Sequence, residues 1–238
     1  MKKVIIIGAT SGIGRELAKL FVAANCLVGV SGRRIELLDS LKNEYPDNIL
    51  AECFDVTGPS NIDHLKNLMQ QLGGMDLFIY CSGFGDPSKT LDWAIDKQTT
   101  LTNVNGFVEM TNFVFNYFAQ QGHGQIAGIS SIASIRGNSW APAYSASKAY
   151  MSSYLESLHM KAAKMKLDIV VTDILPGFIK TKMAKGNKQF WVAPVEKAAR
   201  QIFAAIISKK RRAYITRRWW LIAKLMKLMP YTFYKKFA

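Results

Sequence analysis

Tyr144 and Lys148 are four residues apart, the spacing that puts two side chains on one face of a helix. A free tyrosine has a pKa of about 10 and is a poor proton shuttle at neutral pH. A lysine ammonium one turn away favours the phenolate and lowers that pKa, so the pair can act as a general acid and base. Ser131 closes an apolar run upstream and offers a hydroxyl to a carbonyl or alcohol oxygen. A Tyr-x-x-x-Lys pair by itself is common on helix surfaces.

A second cluster carries phosphate chemistry. Gly8-Ala9-Thr10-Ser11-Gly12-Ile13-Gly14 lies where an apolar β-branched run becomes an amphipathic one. In such a turn Gly8 permits the tight bend, Gly12 lets backbone approach a pyrophosphate, and Gly14 allows close helix–strand packing. The helix start adds free N–H donors and the positive end of the helix dipole. The spacing is GxxxGxG rather than GxGxxG, and a glycine-rich surface turn without a ligand is the plainer alternative. The strand before it, the helix after it and the βαβ unit it begins favour a dinucleotide.

The rest of the chain must position these two clusters. Short apolar runs predict strands at Lys3–Ile7, Leu27–Ser31, Ile49–Phe54, Asp76–Tyr80, Gly124–Ser130, Asp168–Ile174 and Arg212–Thr216. Helical patterns fall between them, at about Gly12–Ala24, Arg34–Glu44, Asn61–Leu72, Leu91–Gln98, Thr102–Gln120, Tyr144–Lys164 and Val195–Ile207. Strands joined by crossover helices imply a parallel sheet covered on both faces. The expectation is a single-domain, doubly wound α/β fold of the Rossmann type over residues 1–216, with ligands outside the carboxyl ends of the strands.

Taken together, the motifs from Gly8 to Thr181 resemble the short-chain dehydrogenase/reductase family. Its TGxxxGIG is similar to Ile7–Gly14, with Ile7 in place of the threonine. Asp55-Val56 matches its adenine-binding acidic position. Its Asn-Asn-Ala-Gly after the fourth strand, which steadies the sheet and passes near the cofactor ribose, is degenerate here: Tyr80-Cys81-Ser82-Gly83. Thr102-Asn103-Val104-Asn105-Gly106 resembles the segment bearing a catalytic Asn, which maps to Asn103 with Asn105 as a nearby competitor. Ser131 precedes Tyr144 by 13 residues, similar to the family's Ser–Tyr separation, and Pro176-Gly177-Phe178-Ile179-Lys180-Thr181 resembles its PGxxxT at the nicotinamide end.

This resemblance implies hydride transfer between a nicotinamide cofactor and a carbonyl or alcohol. Ser131 would hold the substrate oxygen, Tyr144 move the proton, Lys148 reach the nicotinamide ribose, and Asn103 hold a relaying water. Gly8, Thr10, Ser11, Gly12, Ile13, Gly14, Ser82, Gly83, Pro176, Gly177, Ile179 and Thr181 would line the cofactor. A carboxylate at the end of the second strand selects NAD, whereas an arginine accommodates the 2′-phosphate of NADP. The segment reads Val30-Ser31-Gly32-Arg33-Arg34, with no acid near Gly32 and Arg33 next to it. That favours NADP(H) over NAD(H), against the alternative of a solvated arginine at a helix start. NADP-preferring relatives often add a base inside the glycine turn, where this chain has Ser11. Relatives commonly form homo-oligomers. Loss of turnover on the same fold, leaving a nucleotide-binding protein, is the rival suggested by the degenerate Asn-Asn-Ala-Gly.

Composition bounds the setting. With 238 residues, 49% of them hydrophobic, the chain can bury one large core. Three cysteines without CxxC spacing and three scattered histidines support neither a disulfide framework nor a metal site, and fit a reducing, cytoplasmic compartment. The N-terminal apolar run is too short for an export signal. Trp140, Phe178, Phe190 and Trp191 fall in loops that shape the substrate pocket in the family. They suit a lipophilic substrate, and ordinary packing accounts for them equally well. Of the formal net charge of +14, ten bases and no acid lie in Lys209–Ala238, so residues 1–208 carry only +4. Arg217–Met229 is amphipathic at helical spacing, and the tail from Arg217 to Ala238 has three readings: a helix lying in a membrane interface, a dock for a neighbouring subunit, or a cover over the substrate mouth. Without a recognition fold, the basic patch does not indicate nucleic acid.

Overall fold

Strand β1 (Lys3–Ile7) reads KVIII, and Val4 through Ile7 are completely buried. Only a strand covered on both faces takes such a run, which is why it sits at the centre of a parallel sheet. Alternation then divides its side chains: Val4 and Ile6 face one core, Ile5 and Ile7 the other. The computed structural model describes residues 1–87, 90–181 and 190–236.

Around β1 lie β2 (Leu27–Gly32), β3 (Ile49–Cys53), β4 (Leu77–Tyr80), β5 (His123–Ile129), β6 (Asp168–Pro176) and β7 (Arg212–Ile215). They form one seven-stranded sheet in the order β3-β2-β1-β4-β5-β6-β7, every pair parallel. The chain winds outward from β1 in one direction and then from β4 in the other. That reversal opens a crevice at the carboxyl ends of β1 and β4, where such sheets bind ligands.

Helices α1 (Gly12–Ala23), α2 (Ile35–Glu44), α3 (Asn61–Leu72), α4 (Trp93–Thr100), α5 (Gly106–Gln121), α6 (Pro142–Lys164) and α7 (Val195–Ile207) cover the two faces. Leu17, Phe21 and Ile202 of α1 and α7 close the first core; Leu65, Met110, Phe118, Met151 and Leu155 of α3, α5 and α6 close the second.

Most expected boundaries hold within two residues, and three differences have physical causes. Helix α4 does not stop before α5. Thr100 and Gly106 both keep helical angles, and a π-helical turn, Leu101–Asn105, joins the two. No Gly or Pro interrupts that stretch before Gly106, so nothing breaks the helix, and the wide turn re-aims Asn103. Helix α6 starts at Pro142, not Tyr144, because proline's fixed φ suits a first helical position. The tail helix is split: α8 (Trp219–Leu228) ends before Pro230, and a short α9 (Tyr231–Tyr234) follows. The end of the expected tail, Phe237 and Ala238, lies outside the described residues.

The tail lies on its own chain. Trp219 and Ala223 are buried against Ile132, with Phe178 and Met226 packed alongside. Arg136 Nη1 donates to the carbonyls of Met226 (3.1 Å) and Met229 (2.6 Å), satisfying the carboxyl end of α8. The Arg136 guanidinium also stacks 4.1 Å from the Tyr234 ring centroid, and the Tyr234 hydroxyl donates to the Gly137 carbonyl at 2.8 Å.

A buried carboxylate ties the second half of the sheet together. Asp173 Oδ1 accepts from Ser130 Oγ at 2.5 Å, while Oδ2 accepts from Ser152 Oγ (2.6 Å) and Arg212 Nε (3.2 Å). Four elements or their edges, β5, α6, β6 and β7, thus meet on one side chain. Removing one member of a buried, paired set leaves the others uncompensated, at about 3–5 kcal/mol. Asp173→Ala is therefore expected to cost about 3 kcal/mol in urea unfolding, and Asp173→Asn distinctly less. Equal small losses in both would show that the cluster carries little stability.

Candidate active site

Where β5 ends, Ser131 continues in extended backbone and its Oγ accepts from the Ala133 amide at 3.1 Å, starting a 3-10 turn, Ile132–Ser134. The hydroxyl proton remains free to be donated, and the Ser131 side chain counters part of the rise in the Tyr144 pKa. Tyr144 sits half-buried in the first turn of α6. One turn on, Lys148 is almost fully buried, with Nζ donating to the Ile129 carbonyl at 2.8 Å and lying 5.8 Å from the Tyr144 ring centroid. Residues from two distant stretches of sequence converge on one spot at the carboxyl edge of β5.

The electrostatics differ from the simple pair read in the sequence. Burial pushes the Tyr144 phenol above its usual pKa, and the Ser131 hydrogen bond opposes this without overcoming it. Burial also pulls Lys148 down to about 8, against the opposing influence of Cys81 and Asp173. The oxygen partner of the ammonium is a backbone carbonyl, and burial prevails at the phenol. Burial holds Cys81 in its thiol form, with a pKa pushed up to about 12 despite Lys148.

Asn103 is fully buried, whereas Asn105 is exposed. Asn103 Oδ1 accepts from the Phe84 amide at 2.8 Å; its Nδ2 donates to the Phe84 carbonyl at 2.7 Å and to Ser147 Oγ at 3.0 Å. Both Nδ2 hydrogens are spent on protein partners, so this side chain clamps the loop after β4 against α6. Within the same loop, Gly85 lies on the Tyr144 ring so closely that a Cβ there would collide with it. The degenerate Tyr80-Cys81-Ser82-Gly83 is replaced mechanically: the buried Tyr80 hydroxyl donates to the Thr102 carbonyl at 2.6 Å, joining β4 to the π-helical turn.

The residues present fit a dinucleotide. Gly8 (φ +90°) and Gly12 (φ +59°) hold backbone angles that L side chains rarely adopt. A Cβ on Gly8 would meet the Ser82 amide at 2.6 Å, and one on Gly14 would strike the Gly8 carbonyl oxygen. Gly12 faces Thr181, whose Cγ2 would lie 3.5 Å from an added Cβ. The start of α1 has neither a side-chain cap nor an acid in its first turn, leaving its amides for an anion. Ile13 lies in the first turn of that helix.

At the end of β2, Arg33 Nη1 pairs with Asp55 Oδ2 at 3.4 Å, both side chains partly exposed. Burial would raise the Asp55 pKa, but hydrogen bonds from Thr57 and the Arg33 charge hold it below the ordinary value. Val56 is buried behind it. Sequence reasoning passed over Arg34, whose Nη2 donates to Thr10 Oγ1 (2.5 Å) and Ser11 Oγ (2.9 Å). A base thus reaches the glycine turn from outside it. The doubled arginine was the visible signal.

On the far side of the crevice, Pro176 ends β6 and Gly177 donates to the Ile215 carbonyl at 2.6 Å. Ile179 is buried and pairs in a β-bridge with Ala193. The Trp219 indole covers Gly177 and leaves no room for a side chain there. Phe178, Phe190, Trp191 and Trp219 form one aromatic cluster, with ring centroids 5.1–6.2 Å apart. Only the tertiary contact joins Trp219 to the other three.

Comparison with known proteins identifies the family. The family model described as short chain dehydrogenase matches residues 2–190. An uncharacterized oxidoreductase of Myxococcus xanthus is 32% identical over 189 residues, covering 77% of this chain and 74% of that one. Another, of Mycobacterium tuberculosis, is 30% identical over 239 residues, covering 96% and 92%. The solved short-chain dehydrogenase from Sphingobium yanoikuyae in complex with NADPH superposes with a TM-score of 0.82 over 97% of both chains, at 19% identity, and so shares the fold. The matched sequence spans both the glycine cradle and the Ser131–Tyr144–Lys148 cluster, and the chain belongs to the short-chain dehydrogenase/reductase family.

Proposed function

We propose that the protein is an NADP(H)-preferring oxidoreductase that interconverts a lipophilic carbonyl compound and its alcohol. The observation that carries this reading is the convergence of Ser131, Tyr144 and Lys148 beside the glycine cradle at one sheet edge. A bound nicotinamide supplies or accepts the hydride. The amides of the Gly8–Gly14 turn hold the pyrophosphate, with Arg33 and Arg34 on the 2′-phosphate and Asp55-Val56 at the adenine. Ser82 and Gly83 line the ribose, and Pro176, Gly177, Ile179 and Thr181 close over the nicotinamide end. Gly32 supports the NADP preference: a Cβ there would lie 2.5 Å from Thr10 Cγ2, so a selecting carboxylate has no room without displacing Thr10.

Ser131 donates to the substrate oxygen and fixes the carbonyl against Tyr144, which donates its phenolic proton in reduction and recovers it in oxidation. Lys148 has one N–H beyond those given to the Ile129 carbonyl and the Met151 sulfur, and it serves a ribose hydroxyl. Asn103 acts as a positioning residue through the Phe84 loop. The aromatic cluster around Phe178 supports a lipophilic substrate, and the exposed Tyr150 and Met160 of α6 support a homo-oligomer. A nucleotide-binding protein without turnover is the alternative reading, and detectable hydride transfer from NADPH separates the two.

Tyr144→Phe deletes only the proton donor. It is expected to lower kcat at least about 100-fold while NADPH titrates nearly as in the parent; near-normal turnover refutes the assignment. Arg33→Ala and Arg34→Ala each remove a charged partner worth about 1.5–3 kcal/mol, roughly ten- to a hundredfold in NADPH affinity. NADH should be little affected, and equal losses for both cofactors would show that neither arginine selects. Because burial raises the Tyr144 pKa, the phenol stays protonated through the neutral range. Reduction should therefore be level there and fall only in alkali, whereas oxidation, which needs the phenolate, should rise with pH. Paired pH profiles of the two directions check the sign.

A further inference from the structure

Trp219 and Ala223 turn inward, yet the opposite face of α8 is also apolar. Trp220, Leu221, Leu225 and Leu228 are exposed, Leu228 to 82%, and Tyr231 and Phe233 extend the patch along α9. Monomeric proteins rarely leave so continuous an apolar strip in water. Arg217, Lys224, Lys227, Lys235 and Lys236 are exposed among these side chains. Lys224 Nζ lies 4.1 Å from the Trp220 ring centroid, its stem along apolar surface and its charge outward. After Glu196 the chain contains no acid at all.

The position of this face matters as much as its chemistry. Helix α8 begins on Gly177 and ends on Arg136, so it lies across the loops leaving β5 and β6, which bear Ser131 and the Pro-Gly turn. Leu91 and Trp93, after β4, and Phe190 and Trp191, after β6, are further exposed apolar residues in segments leaving the same end of the sheet. An apolar, aromatic and basic rim therefore borders the mouth of the crevice.

We propose that this rim docks the enzyme on anionic lipid bilayers and that the crevice receives carbonyl or alcohol substrates dissolved in the bilayer. The docking stands by itself; the substrate class rests on the oxidoreductase reading above. Basic side chains, tryptophans and aliphatics on one helical face suit the headgroup boundary. No helix among the described residues is long and apolar enough to span a membrane, so the contact is peripheral. A second copy of this chain is a poorer occupant, because a two-fold contact through this face sets the same five bases against each other.

The test uses the full chain floated with vesicles of phosphatidylcholine alone, or with about one third phosphatidylglycerol, at low and at physiological salt. Binding is expected only to the anionic vesicles and is expected to weaken with salt. Each base near such a surface contributes about fivefold, so Lys224→Gln with Lys227→Gln should weaken binding roughly 25-fold. Leu225→Glu with Leu228→Glu, on the exposed face, should abolish it without unfolding the chain. Both double variants should keep NADPH-dependent reduction of a short water-soluble ketone and lose reduction of a long-chain ketone held in anionic vesicles. Failure of the parent to float with anionic vesicles at low salt overturns the docking, even if the soluble ketone is reduced. A parent that floats but reduces neither ketone overturns the oxidoreductase reading and the substrate class while docking stands. Conversion of an oligomer to monomer by Leu225→Glu with Leu228→Glu, with no lipid binding by the parent, assigns the face to a subunit contact and overturns the proposal.

Discussion

At the turn from β1 into α1, backbone meets backbone with no room for a side chain. A Cβ on Gly14 would strike the Gly8 carbonyl oxygen, and one on Gly8 would strike the Ser82 amide of the loop after β4. This contact lets three segments crowd the point where strand order reverses. It brings the start of α1, with its uncapped amides, to the bottom of the crevice, and it fixes how near the β4 loop can approach. Arg34 then closes over the turn through Thr10 and Ser11, and Thr181 faces Gly12 from the other side. The cofactor cradle is therefore a packing consequence before it is a recognition surface.

A chain of positioning contacts carries that geometry to the Ser131, Tyr144 and Lys148 cluster. Tyr80 reaches Thr102 in the π-helical turn; the same turn sends Asn103 to Phe84 and Ser147; and Gly85, one residue beyond Phe84, lies against the Tyr144 ring. The wide turn aims Asn103 inward while Asn105 stays in solvent. The buried phenol of Tyr80 braces β4 against the π-helical turn, and Asn103 tethers the loop that follows. Farther along, Asp173 holds the Ser130–Ser131 corner from behind through Ser130, and Lys148 senses its charge.

The tail packs a surface segment against the loops that leave β5 and β6. Trp219 fills the space over Gly177 and joins the Phe178 cluster, while Arg136 satisfies the open carbonyls at the far end of α8. One face of the helix is thereby spent on Gly177, Ile132 and the Phe178 cluster, and the other remains both apolar and basic.

Local patterning was enough to specify the doubly wound sheet, because a β-branched run, a glycine turn and a helical period are each properties of adjacent residues. Tyr144 and Lys148 were likewise legible, since a four-residue separation on a helix decides that they share a face. Ser131 could be paired with them only through resemblance, because no local rule sets a distance across 13 residues. Other features depended on contacts between distant segments. The aim of the Lys148 ammonium at Ile129, the reach of Arg34 over the turn, the clamping of Asn103 and the seat of Trp219 on Gly177 all join residues far apart in sequence or in different elements. The sequence determined which side chains were available at the carboxyl ends of the strands; the tertiary structure decided which of them touch and, through burial, whether Tyr144 and Lys148 hold their protons.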